Sequence, residues 1–189
     1  EFYKTGTSTM TVTNNFNAIW AGIIGGTFII DNDEEMGGSG STFEVSDTMG
    51  VEDAVLKGYG NISVGKLIIA NGATFAPGNS TTTFKLNGQG DFEVQAGGTL
   101  DLEFSQLDMD KANEEQTNDK IKANGDATID SDSKLVLNNT LGKYYVPETF
   151  ELVEAASMND FEYNQEGEET SEDKGDYKEI TLGNITFKD

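Results

Sequence analysis

The side chains of this chain that could do acid–base or ligand chemistry are almost all carboxylates. Its 189 residues include 34 Asp and Glu and 12 Lys, with no His, Arg or Cys, for a net charge of −22. Without histidine there is no Ser-His-Asp or Cys-His arrangement and no imidazole metal ligand. Without cysteine there is no thiolate zinc, iron–sulfur or disulfide chemistry. Paired acids of the glycosidase kind and oxygen ligation of calcium remain. Acid pairs can be drawn between many positions, but the acids alternate with apolar residues as the outer positions of strands do, and no pair stands out. Gly37-Gly38-Ser39-Gly40-Ser41-Thr42 begins like a calcium-binding nonapeptide repeat, yet Thr42 stands where the ligand Asp belongs, and the pattern occurs once. Asp108-Met109-Asp110 begins like an EF-hand loop, yet Asn113 replaces the needed glycine and Asp119 the terminal Glu. The expectation is a protein that is not an enzyme, with no catalytic residue, no cofactor and no dedicated metal site. Loose surface binding of calcium by the acidic segment is the most that these residues suggest.

The elements that carry these residues are defined by a repeat. Three copies begin at Gly65, Gly90 and Gly125. Apolar residues follow two, four and ten positions later: Leu67, Ile69 and Phe75; Phe92, Val94 and Leu100; Ala127, Ile129 and Leu135. The second copy adds Leu102 and the third Leu137. Alternation at period two marks strands with one buried face. The pairs ahead of the glycines, Ile62/Val64, Phe84/Leu86 and Ile121/Ala123, have the same inward parity. Strands at a fixed offset, repeated down the chain, predict a solenoid of stacked coils with an inward core ladder. Gly65, Gly90 and Gly125 are read as turn glycines.

One continuous domain in three stretches follows. Residues 1–60 are N-terminal coils with irregular loops, in which Met10/Val12, Phe28/Ile30 and Phe43/Val45 are strand pairs. Trp20 reads as core or end-cap packing, 31–42 as turns or a protruding loop, and 51–57 fit either a helical turn or a strand. Residues 61–140 hold the regular coils, with 106–119 as an insertion that loops out. Residues 141–189 form a C-terminal cap. Its acidic part, 158–179, reads as a long mobile loop, and Ile180/Leu182 and Ile185/Phe187 as strands that pair with 149–153.

The net charge excludes nucleic acid as a partner and disfavours anionic lipid. The most apolar run, Ile19 to Ile30, is short and broken by Gly22, Gly25 and Gly26, so no membrane insertion of this segment is expected. No signal peptide is evident, and the chain reads as a soluble piece of a longer protein.

At Ala76-Pro77-Gly78-Asn79-Ser80 a family likeness enters. The run from Gly72 through Ala156 resembles the C-terminal part of the passenger domains of Gram-negative autotransporters, the proteins of type V secretion. The matching segments are Gly72–Ser80, Phe84–Val94, Gly98–Phe104, the polar insert, Asp119–Ile129 and Tyr144–Val153. Thr11-Val12-Thr13-Asn14-Asn15, followed by Trp20 and by Gly25-Gly26-Thr27-Phe28, is similar to the family's repeat. The family departs from this chain at 81–84, where Thr-Thr-Thr-Phe stands for the usual Gly-Thr-Leu, and in the acidic 158–179 segment. The resemblance implies an all-β chain, a right-handed parallel β-helix (β-solenoid) with a C-terminal hairpin cap. It implies a non-catalytic stalk at the cell surface, anchored at the Gram-negative outer membrane by its own C-terminal β-barrel translocator, which is absent from this chain. The stalk would support folding and display of the passenger, as the family's autochaperone region does. An adhesin module is the other function open to such a chain. It would bind a host-cell or bacterial surface ligand through the solenoid face or the loops at 31–42, 106–119 and 158–179. A cysteine-free chain suits this route, because it cannot lock itself before crossing a pore.

Overall fold

The computed structural model describes residues 1–14, 20–47, 53–78, 83–105, 117–139, 151–163, 166, 169–174, 178–182 and 184–188, and no helix occurs among them. The strands, numbered in chain order, stack into a parallel β-solenoid with three faces. The first face is built from β1 (Phe2–Lys4), β3 (Trp20–Ile23), β5 (Thr42–Val45), 66–69 of β6 (Ala54–Ile69), 91–94 of β8 (Thr83–Val94), β12 (Asp126–Ile129) and β15 (Ser157–Met158). The second runs through β2 (Thr9–Val12), 26–31 of β4 (Gly26–Gly37), 54–59 of β6, β7 (Thr74–Pro77), β9 (Thr99–Ser105), β13 (Lys134–Asn139) and β18 (Ile185–Lys188). The third comprises 35–37 of β4, 61–64 of β6, 83–88 of β8, β11 (Lys120–Ala123) and β14 (Val153–Glu154). All these neighbours are parallel. Antiparallel pairing enters at β10 (Thr117–Asn118), which folds back on β9, and at β17 (Lys178–Leu182) and β16 (Thr170–Asp173), which follow β18.

The repeat in the sequence is the vertical register of this stack. Leu67, Phe92 and Ala127 lie directly over one another, as do Ile69, Val94 and Ile129. Phe75, Leu100 and Leu135 form a column on the second face, and Leu102 is opposite Leu137. The first column extends upward through Phe43, Ala21 and Phe2 and downward to Met158. Each strand thus buries alternate residues against the coils above and below, about 4.8 Å away. Every residue of the expected ladder is at most 6% exposed except Leu137, which is half-buried against the same core. In the middle of the core one ring comes from each face. Phe75 meets Phe84 edge-on at 5.0 Å and Phe92 at 6.1 Å. Burying a side chain of this kind is worth roughly 1.5–3 kcal/mol, so a single coil cannot offset its own backbone entropy, while a stack can.

The three repeat glycines do different jobs. Gly90 has φ +65°, a conformation that costs a glycine nothing. Gly65 and Gly125 do not have positive φ, so a glycine is needed at their corners for another reason. Gly65 sits where the β6–β8 register shifts, and a Cβ there would lie 3.1 Å from the Gly40 carbonyl carbon and the Ser41 oxygen. A Cβ on Gly125 would run into the Asp91 carboxylate and the Gln89 carbonyl. These two positions let the neighbouring coil approach closely at the corner.

Several open readings are decided and others are overturned. Of the two readings of 31–42, turns rather than a free loop fit: β4 is continuous from 26 to 37, with a register shift between Asp31 and Glu35 that sets 32–34 against Gly60 alone where the strand turns the corner. From Ala54 onward the ambiguous 51–57 segment is strand, because Ala54 and Leu56 belong to the second-face core. Trp20 is not in the core. The inward positions of β3 are Ala21 and Ile23, and Trp20 lies on the outer side, across Gly22 and against Tyr3 at 4.7 Å. Within the acidic 158–179 segment, Met158, 170–173 and 178–179 are strand rather than loop. Among the described residues the final hairpin does not pair with 151–153, and 149–150 lie outside them. Its strand β18 stacks on β13, while β14 stacks on β11.

Candidate functional site

Of the autotransporter-like motif, Ala76 and Pro77 end β7, and Lys57 is opposite Ala76. Gly78, at φ +97°, donates its N–H to the Gly58 carbonyl at 2.5 Å and forms an isolated antiparallel bridge with it. The motif therefore closes the corner at which the chain leaves the second face. Asn79 and Ser80 lie outside the described residues, as do the EF-hand-like positions 108–113 and most of the 106–119 insert.

The calcium-like patterns serve the backbone instead. Ser41 closes a tight turn, its N–H at 2.8 Å and its hydroxyl at 2.6 Å from the Gly38 carbonyl, and Thr42 begins β5. Asp119 is fully buried and accepts the Glu103 N–H at 2.7 Å, clipping the end of β9 to the start of β11. Among the described residues no group of three acidic side chains is placed to hold a metal ion.

The most elaborate side-chain chemistry is at the C-terminal end of the stack. A parallel sheet that stops leaves its last strand with unpaired N–H and C=O groups. On the first face β15 covers β12 only as far as Ala127, and Asn159 satisfies the next part of β12 with its side chain. Its Oδ1 accepts the Ile129 N–H at 2.9 Å and its Nδ2 donates to the Ile129 carbonyl at 2.9 Å, mimicking one further residue of strand. The chain then crosses beneath the core, where Phe161 and Tyr163 pack edge-on at 5.3 Å against the buried cluster. Burial pushes the Tyr163 phenol up to about 12, with a hydrogen bond to Ser133 pulling the other way. On the second face the stack ends in the antiparallel β18–β17–β16 meander, whose outermost strand is fully exposed and carries Glu172 and Asp173. Charge on an edge strand discourages edge-to-edge association.

On the third face the last strand, β14, has only two residues, and ion pairs hold it. Lys120 lies 2.6 Å from Glu151 and 2.8 Å from Glu154, and Lys122 lies 2.7 Å from Glu154. Hydrogen bonds donated by Lys120, then Lys122, lower Glu154 from 4.5 to about 2, and the bonds that Lys120 donates to Glu151, then to Glu154, raise Lys120. Because the folded-state pKa of Glu154 is depressed, its contribution is present above about 4.5 and is lost as pH falls through about 2. The carboxylate is partly exposed, so salt screens it. Hydrogen-exchange protection of Ile121–Ala123 is expected to persist at pH 4 in low salt and to drop near pH 2. Glu154→Gln should reproduce that drop at pH 7, with the melting temperature of the chain little changed. Protection indifferent to both pH and substitution would mean that the clasp does not hold β14.

Three of these features went unread in the sequence. Asn159 looks like an ordinary loop asparagine, Phe161 and Tyr163 sit in an acidic stretch, and Lys4 occupies an inward position above Ile23. Lys4 is 5% exposed, and its ammonium donates to the Gly6 and Gly25 carbonyls at 2.9 Å and to Thr5 at 3.1 Å. The only sequence signal was the alternation itself, which placed Lys4 in phase with Phe2. No protein-family model and no curated protein matches this chain.

Proposed function

We propose that this chain is the non-catalytic β-helical stalk of a cell-surface autotransporter passenger, and that its C-terminal end templates folding of the coils above it. Support comes from one contrast in the pairing pattern. Almost every strand neighbour is parallel and joins residues about twenty or more positions apart, as Phe2 with Ala21 or Phe92 with Ala127. Among the described residues, antiparallel pairing over connections of a few residues occurs in the β16–β17–β18 meander, as Leu182 with Ile185 and Asp173 with Lys178, whereas the β9–β10 pair spans a longer insert. Local hairpins close on the order of 1–10 μs, whereas non-local parallel pairing must first overcome loop-closure entropy. The meander therefore forms before the coils and offers β18 as an edge on which Leu135, Val136 and Leu137 of β13 align. Coil-by-coil growth from that edge away from the C-terminus would draw an emerging passenger outward. The absence of histidine, arginine and cysteine and the acidic surface fit a structural role with no chemistry of its own.

Thr181→Pro removes a backbone donor from β17, which pairs on both sides. In refolding from denaturant this variant should fold at least roughly tenfold more slowly, with the unfolding rate changed much less. An unchanged folding rate with accelerated unfolding would show that the meander docks last and would sink the templating role. The stalk assignment itself is tested by the reading frame beyond Asp189, which should continue into a β-barrel.

A further inference from the structure

Where the chain leaves the first face at Asn159, it opens a cleft of about 500 Å³, within the range of small-ligand sites. Its floor is the outer surface of two successive rungs, with Glu93, Gln95, Thr128 and Asp130 among its residues, and its wall is Asp160, Phe161 and Glu162. We propose that this cleft binds a neutral oligosaccharide.

The inference rests on what the lining can still offer. Glu93 is engaged by Lys66 and by the Gln95 Nε2 at 2.9 Å, and on the exposed Gln95 side chain the amide oxygen stays available as an acceptor. The Asn159 amide is consumed on Ile129, so it fixes the wall and contributes no contact. Asp160, Glu162 and Thr128 make no side-chain hydrogen bond or ion pair among the described residues. The unspent groups are thus almost all acceptors, and no lysine lines the cleft. Acceptors of this kind suit a ligand rich in donors. A point cation is the less favoured occupant, because no three acids converge on one position. Acceptors strung along a cleft instead match the successive hydroxyls of a sugar chain, and Phe161 supplies an aromatic wall for its C–H face. The same carboxylates, on a chain of net charge −22, repel sialylated or sulfated glycans. The rigid β floor means that little ordering cost falls on the protein.

The test titrates the isotopically labelled whole chain with maltotriose, lactose and chitobiose, with sialyllactose as the anionic probe and tetralysine as the cationic one. At least one neutral sugar should bind with Kd on the order of 1 mM or tighter. Amide shifts should be confined to 93–96, 128–131 and 159–162. Asp160 and Glu162 are exposed, so the Asp160→Ala/Glu162→Ala variant keeps the fold, which an unchanged melting temperature confirms. It should weaken binding at least roughly tenfold. Binding of tetralysine alone would assign the cleft to basic protein segments and overturn the proposal. So would sugar shifts elsewhere on the chain, sugar affinity unmoved by the double substitution, or no binding of any neutral probe.

Discussion

Leu100→Asp is expected to abolish the cooperative melt of the solenoid. Leu100 is 1% exposed and sits in the second-face column with Phe75 opposite it on one side and Leu135 on the other. An aspartate there loses the roughly 1.5–3 kcal/mol of leucine burial. It also places a carboxylate between Phe75 and Leu135, neither of which can pair with it. The carboxylate either stays charged at a cost of several kcal/mol or takes up a proton, which costs stability at neutral pH. Against a total stability of about 5–15 kcal/mol, that removes most of the margin. The damage also spreads in a stack, because each coil is held only by its neighbours. Residues 99–105 part from both β7 and β13, and the regular coils lose their shared core. Circular dichroism of Leu100→Asp should show loss of the sigmoidal transition, with Leu100→Ala melting at an intermediate temperature. A melt like that of the parent would mean that the inward column has been misassigned.

The way this column could be read from the sequence explains what could not be. Leu67, Phe92 and Ala127 announce themselves because a two-residue period and a constant offset from a glycine leave each strand only one way to face inward. The same logic carried to 1–60 gives the right pairs, Phe28/Ile30 and Phe43/Val45, but not their stacking. The spacing there is uneven, and Ala21 and Phe43 take the place of larger or smaller partners in one column. Corners are harder again. Whether a glycine is needed for its backbone angle, as at Gly90, or for lack of a side chain, as at Gly125, depends on which atoms of another coil lie opposite. The ends of the stack left the least trace. An asparagine that imitates a strand residue and an aromatic pair that covers a core do so through single long-range contacts, and no period in the chain encodes those. Charge patterning misled at 170–173, where exposed acids alternate with nothing apolar. Among the described residues that strand pairs its backbone with β17, so composition resembled a loop while the hydrogen bonds made an edge.

Gly58→Ala tests the corner rather than the core, and a loss nearly as severe is expected. Gly58 has φ +111°, which L side chains rarely adopt, so any substitution is strained whatever space surrounds it. Here there is no space either: a Cβ would overlap the carbonyl oxygen of Ile30 in the coil above. That carbonyl belongs to the main chain of β4, paired with 58 in the parallel register, so it cannot swing aside as a long side chain would. Relief requires the two coils to separate at this corner. Separation also breaks the bridge on the other side of Gly58, where its own carbonyl accepts the Gly78 N–H. Backbone strain of this kind costs about 1–3 kcal/mol by itself, and the forced shift of two rungs adds to it. Gly40→Ala is the matched control, since Gly40 does not have positive φ and nothing lies within 4 Å of its would-be Cβ. By denaturant titration Gly58→Ala should lose about 3 kcal/mol or more, and Gly40→Ala less than about 1. Two variants of equal stability would mean that the coils at Ile30 and Gly58 are farther apart than this register allows, and the closing role assigned to the Gly58–Gly78 bridge would fall with it.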